Sequence, residues 1–376
     1  MGEVTRGLEG FAEEAEGQAQ FFEARAPVYA RVVREAIALA GTDAATRAHL
    51  LDAWGERIFH ARYDRPLLLC AAIHQEVQRD PSHPLATALR EADPSAVTRE
   101  AVAAALASAP TLHTMRTRFV QTNEVSRAIA WRLPMAKLPA GAQVVLVDLG
   151  CSAALNLVAD GLPLSWTSAD GRPLDLPLRP IVERVGLDRA PIDPRDEAAA
   201  RWLRACIWPG DHARRARLDA ALARASSAVA AGELQTYALD AAEMPGRVES
   251  ITCARARDTF VVAYQTVMAD YLLPETRFAY EAGMRDWVLR HPGRALWVEL
   301  ERAPKGSPGP AELRVHLAVP ASPGVPAAPA APGTPRTPEK STVRTLVLGS
   351  CEYHPGAIAL RDDALLDLTA ALGSHA

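Results

Sequence analysis

The sequence predicts an α/β protein: a doubly wound, Rossmann-like parallel sheet behind a helical N-terminal region. Three observations predict it. Residues from about Gly7 to Pro134 repeat apolar positions at helical spacing and hold no strand-like run. At Gln143 the pattern switches to VVLVDLG, a continuous β-branched run of the kind found in buried parallel strands. From there to the end, apolar runs alternate with helical segments, which is the order of a parallel sheet with crossover helices. The boundary therefore falls between a helical region, 1–135, and a Rossmann-like region, 136–376.

The helical region carries Phe11, Phe21, Phe22, Val28, Val32, Val33 and Ile37, then Leu50, Leu51, Trp54 and Ile58. Breaks at Gly41 to Asp43, Tyr63 to Pro66, Asp80 to Pro84 and Ala109 to Pro110 divide it into five or six helices. Leu67 to Ile73, the longest apolar run, is expected to be the most buried. It is also far short of the ~20 residues of a membrane helix. In the second region strands are expected at the VVLVDLG run that follows Gln143, around Val185, at Gln235 to Leu239, Thr259 to Tyr264, Ala295 to Leu300, Leu313 to Ala318 and Val343 to Leu348. Helices are expected at Glu197 to Ile207, His212 to Ala231 and Glu275 to Arg290, and none between the last two strands.

Between those two strands, at about 319–341, prolines recur at every third position from Pro320 to Pro338. Three residues per turn is the polyproline II period, so the segment reads as an extended spacer or hairpin insertion. A PxxP ligand for an SH3-like partner is the alternative.

Forty-one basic against 45 acidic residues give no global field that holds a polyanion, so neither nucleic acid nor an anionic membrane is an expected partner. The amino terminus is polar and acidic, without a signal or transit pattern, so the cytoplasm is the expected location. The five cysteines stand tens of residues apart, and no His, Cys or carboxylate set has metal spacing, so no metal site is expected.

The chemistry-bearing stretch follows the first strand. Asp148, Gly150, Ser152 and Ala154 occupy alternate positions where that strand turns into its helix, the place where open α/β sheets bind ligands. Only Gly150 of a GxGxxG fingerprint is present. The acid-x-Gly-x-small-x-small pattern fits the nucleoside-binding loop of S-adenosylmethionine-dependent methyltransferases better, with Asp148 holding the ligand's ammonium. Topology then offers Asp188, ending the second strand, for the ribose hydroxyls, and Asp240, ending the third, for an adenine amino group; both also read as helix-capping or turn acids. Tyr264 ends the next strand and would face the transferred group. The same loop is one substitution from a GxSxG nucleophile elbow, with Ser152 as nucleophile and His354 after the last strand. Against that reading, the second glycine is Ala154, and an elbow has no use for Asp148.

Read together, the segments QTNE (Gln121 to Glu124, with Arg127 following), DLGCSAALNL (148–157), RVGLDRAPID (184–193), RWLRACIWP (201–209), LDA (239–241) and HPG (354–356) resemble an uncharacterised bacterial family, domain of unknown function 2332. The resemblance covers nearly the whole chain. It implies a methyltransferase-type Rossmann fold behind a helical region, with Asn156 part of the glycine loop. The chain departs from that family's pattern at Ala154, where a glycine is expected, at Leu239, and at Tyr264 in place of a histidine.

In QTNE, Thr122 or Asn123 can cap the helix running to Trp131, with Glu124 in its first turn. Gln121, Asn123 and Arg127 are alternatively substrate contacts, and Arg127 a carboxylate clamp. Methyl transfer needs alignment and, for a protonated acceptor, a base, for which His354, Glu124 and Tyr264 are the candidates. The expected function is an S-adenosylmethionine-dependent methyltransferase acting on a small-molecule or protein acceptor. A non-catalytic scaffold on the same fold is the second reading, and a serine hydrolase using Ser152 the third.

Overall fold

The computed structural model describes residues 5–59, 63–121, 123–320 and 341–373. In chain order, β1 (Thr5–Arg6), α1 (Phe11–Glu23), α2 (Pro27–Thr42), α3 (Ala44–Trp54) and β2 (Ile58–Phe59) come first. Next are α4 (Asp64–Arg79), α5 (Ala86–Glu91), α6 (Arg99–Ala107), α7 (Ala109–Thr117) and α8 (Ile129–Met135). There follow β3 (Gln143–Leu149), β4 (Thr167–Ser168), β5 (Ile181–Asp188), α9 (Glu197–Ala205), α10 (His212–Ala230), β6 (Gln235–Ala238) and α11 (Met244–Cys253). The rest is β7 (Thr259–Thr266), α12 (Pro274–Arg290), β8 (Ala295–Arg302), β9 (Ala311–Pro320), β10 (Ser341–Cys351), β11 (Ala357–Leu360) and α13 (Asp362–Gly373). By contacts the chain divides into two compact units: Met1–Asn123 with Arg195–Asp219, and Glu124–Pro194 with Ala220–Ala376. The helical unit therefore takes α9 and the start of α10 from between two strands of the sheet.

The helical unit follows its local signals. Pro27 opens α2 after a break at Arg25 and Ala26 that the apolar spacing did not reveal. Asp43 caps α3 by accepting the Thr46 N–H at 2.8 Å, and Thr98 caps α6 by accepting the Ala101 N–H. The breaks before Pro27 and at Thr98 help give eight α-helices, α1 to α8, among the described residues up to 135, against the five or six expected over about 7–134. Leu68 to Ile73 are all buried in α4, which packs against α7 and α9. The two-residue pair β1 and β2 was unexpected, being too short to leave a period-2 pattern.

The sheet has nine strands in the order β4-β11-β10-β9-β8-β7-β3-β5-β6. Five of them, β6, β5, β3, β7 and β8, run parallel. The chain starts at the middle strand β3, passes to β5 and β6 on one side, then to β7 and β8 on the other. The carboxyl edge between β3 and β7 is thus a topological switch point. On one face Val145, Val147, Val185, Val261, Ala263 and Trp297 pack against α11 and α12 through Met244, Val248, Tyr280 and Trp287. Residues of opposite parity, Val144, Leu146, Val262 and Val298, are equally buried, and α8 packs on β7 and β8. Coverage of both faces explains why the strands read as unbroken apolar runs.

One expectation changes. The helix expected after β3 is a 3₁₀ segment, Leu155–Gly161, because Gly161 and Pro163 close the run before several α-turns can propagate. The last expected strands do pair without a helix, as β9 and β10, antiparallel. Residues 321–340, holding most of the proline repeat, lie outside the described residues. Its flanks Pro320 and Ser341 are paired to each other. No helix among the described residues is long and apolar enough to cross a membrane.

Candidate functional site

The loop after β3 is stitched to the end of β5. Gly150 and Cys151 N–H both donate to Leu187 O, at 2.8 and 3.2 Å, and Ser152 N–H donates to Asp188 Oδ2 at 2.8 Å. Ser152 O in turn accepts from Ile192 N–H at 2.9 Å. The backbone takes positive φ at Gly150 (78°), Ser152 (51°) and Ala154 (57°). For Ser152 and Ala154 that left-handed conformation costs on the order of 1 kcal/mol each, and it is the conformation that makes glycine the expected residue at 154. Two glycines are required by space. A Cβ on Gly150 would lie 2.8 Å from Met268 Cγ, and one on Gly186 would lie 2.7 Å from Cys151 Sγ.

Asp148 stands opposite Tyr264 in the β3/β7 ladder and opposite Gly186 in β3/β5. Both side chains are buried. Burial pushes the Asp148 carboxyl up to about 7; Tyr264 lowers it and Asp188 raises it further. Burial and the neighbouring Asp148 also hold the Tyr264 phenol well above its usual range, so this group donates a proton and does not act as a base. Its hydroxyl sits beside Asp148 without completing a hydrogen bond of good geometry. Asn156 Oδ1 and Asp160 Oδ1, in the segment that continues the loop, are likewise buried and unsatisfied. Orphaned buried polar atoms are rare in native proteins and cluster where a ligand or water completes them.

The other predicted residues are placed as follows. Asp188 spends Oδ2 on Ser152 and Oδ1 on the Ala190 N–H at 2.8 Å, so it braces the loop. Asp240 is exposed and forms a capping box with Glu243. Glu124, and not Asn123, caps the turn Val125–Ala128, accepting the Ser126 N–H at 3.1 Å; Thr122 lies outside the described residues. Gln121 and Asn123 belong to the helical unit, where the Asn123 Nδ2 is buried and unsatisfied. Arg127 is buried in the sheet unit and donates Nε to Tyr353 O at 2.9 Å, tying down the loop that carries the exposed His354. Because β10 runs parallel to β8, that loop lies on the carboxyl edge of the sheet, as the Gly150 loop does.

Sequence reasoning missed a second buried polar system on the α12 face. Glu301 Oε1 accepts from Gln265 Nε2 and from the Met268 and Ala269 N–H groups, at 3.0, 2.9 and 3.2 Å. Burial pushes Glu301 up to about 7. Beside it, His316 joins Glu299 at 2.7 Å to Thr345 at 2.8 Å and stacks on Trp297. Acids at alternate positions in WVELER were the available signal, since Glu299 and Glu301 share the buried face with Trp297. The fold also assembles one group with metal-ligand chemistry among the described residues, against the expectation of none. Glu249 Oε1 lies 2.8 Å from His291 Nε2 and 3.3 Å from Cys253 Sγ. Arg290 on Glu249 and Arg294 on His291 supply two positive charges that oppose a cation there.

The model of a family described as "Uncharacterized protein conserved in bacteria (DUF2332)" matches residues 12–331. None of the curated proteins matches the chain.

Proposed function

The chain belongs to the DUF2332 family of bacterial proteins, and we propose that this member binds S-adenosylmethionine at the carboxyl end of β3 and transfers its methyl group to a small-molecule or protein acceptor. The observation that carries the reading is Asp148, a buried carboxylate at the switch point of a sheet ordered third-second-first-fourth-fifth. Tyr264 Oη beside it, and Asn156 Oδ1 in the segment that continues the loop, are buried polar atoms without a well-formed hydrogen bond, and Gly150 lets backbone come close. The acceptors Asp148 and Asn156 Oδ1 suit the ammonium of the ligand's amino-acid end, and the Tyr264 hydroxyl, a donor, suits its carboxylate. Asp188, ending β5, and Asp240, following β6, are the acids this reading assigns to the ribose and the adenine; Asp188 already accepts two backbone N–H groups and Asp240 one. The bound cofactor supplies an electrophilic methyl on sulfur, which leaves the protein to align the acceptor and take its proton. His354 is the base this reading favours, since Tyr264 is held protonated and Glu124 is spent on a cap. The proposal keeps the protein in the cytoplasm, and all five cysteines are free, as in a reducing compartment.

Calorimetric titration with S-adenosylmethionine and S-adenosylhomocysteine, with NAD as control, is expected to give micromolar binding of the first two. Absence of binding at millimolar ligand sinks the cofactor assignment and favours the non-catalytic scaffold, a reading supported by Met268 lying tight over Gly150. The positive φ of Ser152 is what favours the hydrolase reading, since a nucleophile elbow uses such a strained turn. A fluorophosphonate probe is expected not to label the protein. Labelling that disappears in Ser152→Ala would replace methyl transfer by acyl transfer.

A further inference from the structure

The helical unit contains a cavity of about 440 Å³, within the size range of small-ligand sites. One of its walls is the RWLRACIWP segment, which the methyl-transfer reading leaves without a role. Arg201, Arg204, Arg215 and Arg90 face it, against the carboxylates Glu197 and Asp211. Those charges do not cancel. Arg204 is held by Glu197 at 2.9 Å and by Asp219 at 2.7 Å, Arg215 is held by Asp219 at 3.0 Å, and Asp211 caps α10 by accepting the Arg214 N–H. Arg90 makes a single bond, to the Ala86 carbonyl, and Arg201 has no hydrogen-bond or ion-pair partner among the described residues.

Two further features point the same way. The Gln78 amide nitrogen, on another wall, is buried with no acceptor. Gly210 to His212 bring the amino end of the 19-residue helix α10 to the cavity, adding positive potential. His74 also lines it; burial pushes its imidazole down to about 4, so near neutral pH it is uncharged and carries no repulsion toward a cation or attraction toward an anion. The lining also has an apolar part: Trp208, fixed edge-on to Phe22 at 5.2 Å and Phe21 at 5.9 Å, together with Val77 and Leu89.

We propose that this cavity is a second binding site, separate from the Gly150 loop, for a small organic anion: a carboxylate or phosphate group held by Arg201, Arg90 and the Gln78 amide, with a flat apolar body against Trp208. The site does not depend on the methyl-transfer reading. Phenyl phosphate and benzoate, titrated calorimetrically into the full chain, test it. At least one is expected to bind with submillimolar affinity. Arg201→Ala is expected to weaken that binding about tenfold or more, the worth of one charge-assisted contact. Gln78→Glu, which puts a carboxylate where the anion sits, is expected to abolish it. Binding of phenyl phosphate alone assigns the phosphate class, and binding of both extends it to carboxylates. Failure of both probes at about ten times that concentration, or affinities unchanged in a folded Arg201→Ala, overturns the proposal. Titration of S-adenosylmethionine into Arg201→Ala keeps the two sites apart, since its result belongs to the Gly150 loop alone.

Discussion

Asp148→Asn is expected to stabilise the protein above pH 7 and to remove much of its loss of stability between about pH 4 and 7. The carboxyl is 3% exposed, and burial raises it from its usual 3.8 to about 7. In that window the folded protein keeps the proton that the unfolded chain has already released. Stability therefore falls as pH rises through the window and stays low above it. A displacement of this size corresponds to a few kcal/mol, on the order of 4. Asn is neutral at every pH and nearly isosteric, so the variant escapes that penalty. Urea midpoints at about pH 4 and pH 8 measure it: the two proteins should converge at the lower pH and separate at the higher. An equal pH slope in both would show that Asp148 is not the group responsible. Glu301, also raised to about 7 by burial, leaves a residual slope that Glu301→Gln should remove, because the retained carbonyl still accepts from Met268 and Ala269.

The same substitution is expected to act oppositely on the ligand. A carboxylate kept under desolvation at a strand end gains most when a cation arrives to pair with it. S-adenosylmethionine affinity should therefore rise with pH through 7 in the parent protein and be weaker and flatter in Asp148→Asn. Stability and binding moving in opposite directions at one residue is what a functional acid, as opposed to a structural one, predicts.

Much of the sheet was legible because its parallel strands are covered on both faces, which forces long apolar runs such as VVLVDLG and TFVVAY. The strands that escaped notice, β4 and β11, pair over two residues and carry no such run. The loop from Asp148 to Ala154 was readable because its parts are contiguous and the chemistry lies in the local backbone. What could not be read was register. That Asp148 faces Tyr264 follows from the β3/β7 pairing, and the His316 contact with Glu299 joins residues 17 apart in neighbouring strands. The Glu249, Cys253 and His291 group joins two helices across 38 residues of chain. Capping was misplaced for a related reason: Asn123 is the stronger cap by residue type, and only the path of the chain into Val125 selects Glu124.

Arg65→Met is expected to destabilise the protein by about 3 to 5 kcal/mol, the cost of stranding a buried charge. Arg65 is fully buried in the first turn of α4. Its Nε donates to Glu14 Oε2 at 3.0 Å and its Nη2 donates to the same oxygen, while Nη1 and Nη2 donate to the carbonyls of Gly7 and Glu9 at 2.8 Å each. Phe11 and Phe59 lie about the guanidinium at 5.8 and 6.0 Å. Met fills a similar volume but leaves the Glu14 carboxylate, itself 9% exposed, with no countercharge and two carbonyls with no donor. If the loss comes from the orphaned charge, removing both partners should restore most of it. The double variant Arg65→Met, Glu14→Leu is therefore expected to lie within about 2 kcal/mol of the parent, well above the sum of the single losses. Urea unfolding read by the fluorescence of Trp54, which packs 5.3 Å from Phe11, follows this region. Additive losses in the double variant would mean that the guanidinium acts through packing and backbone bonds, with the ion pair contributing nothing of its own.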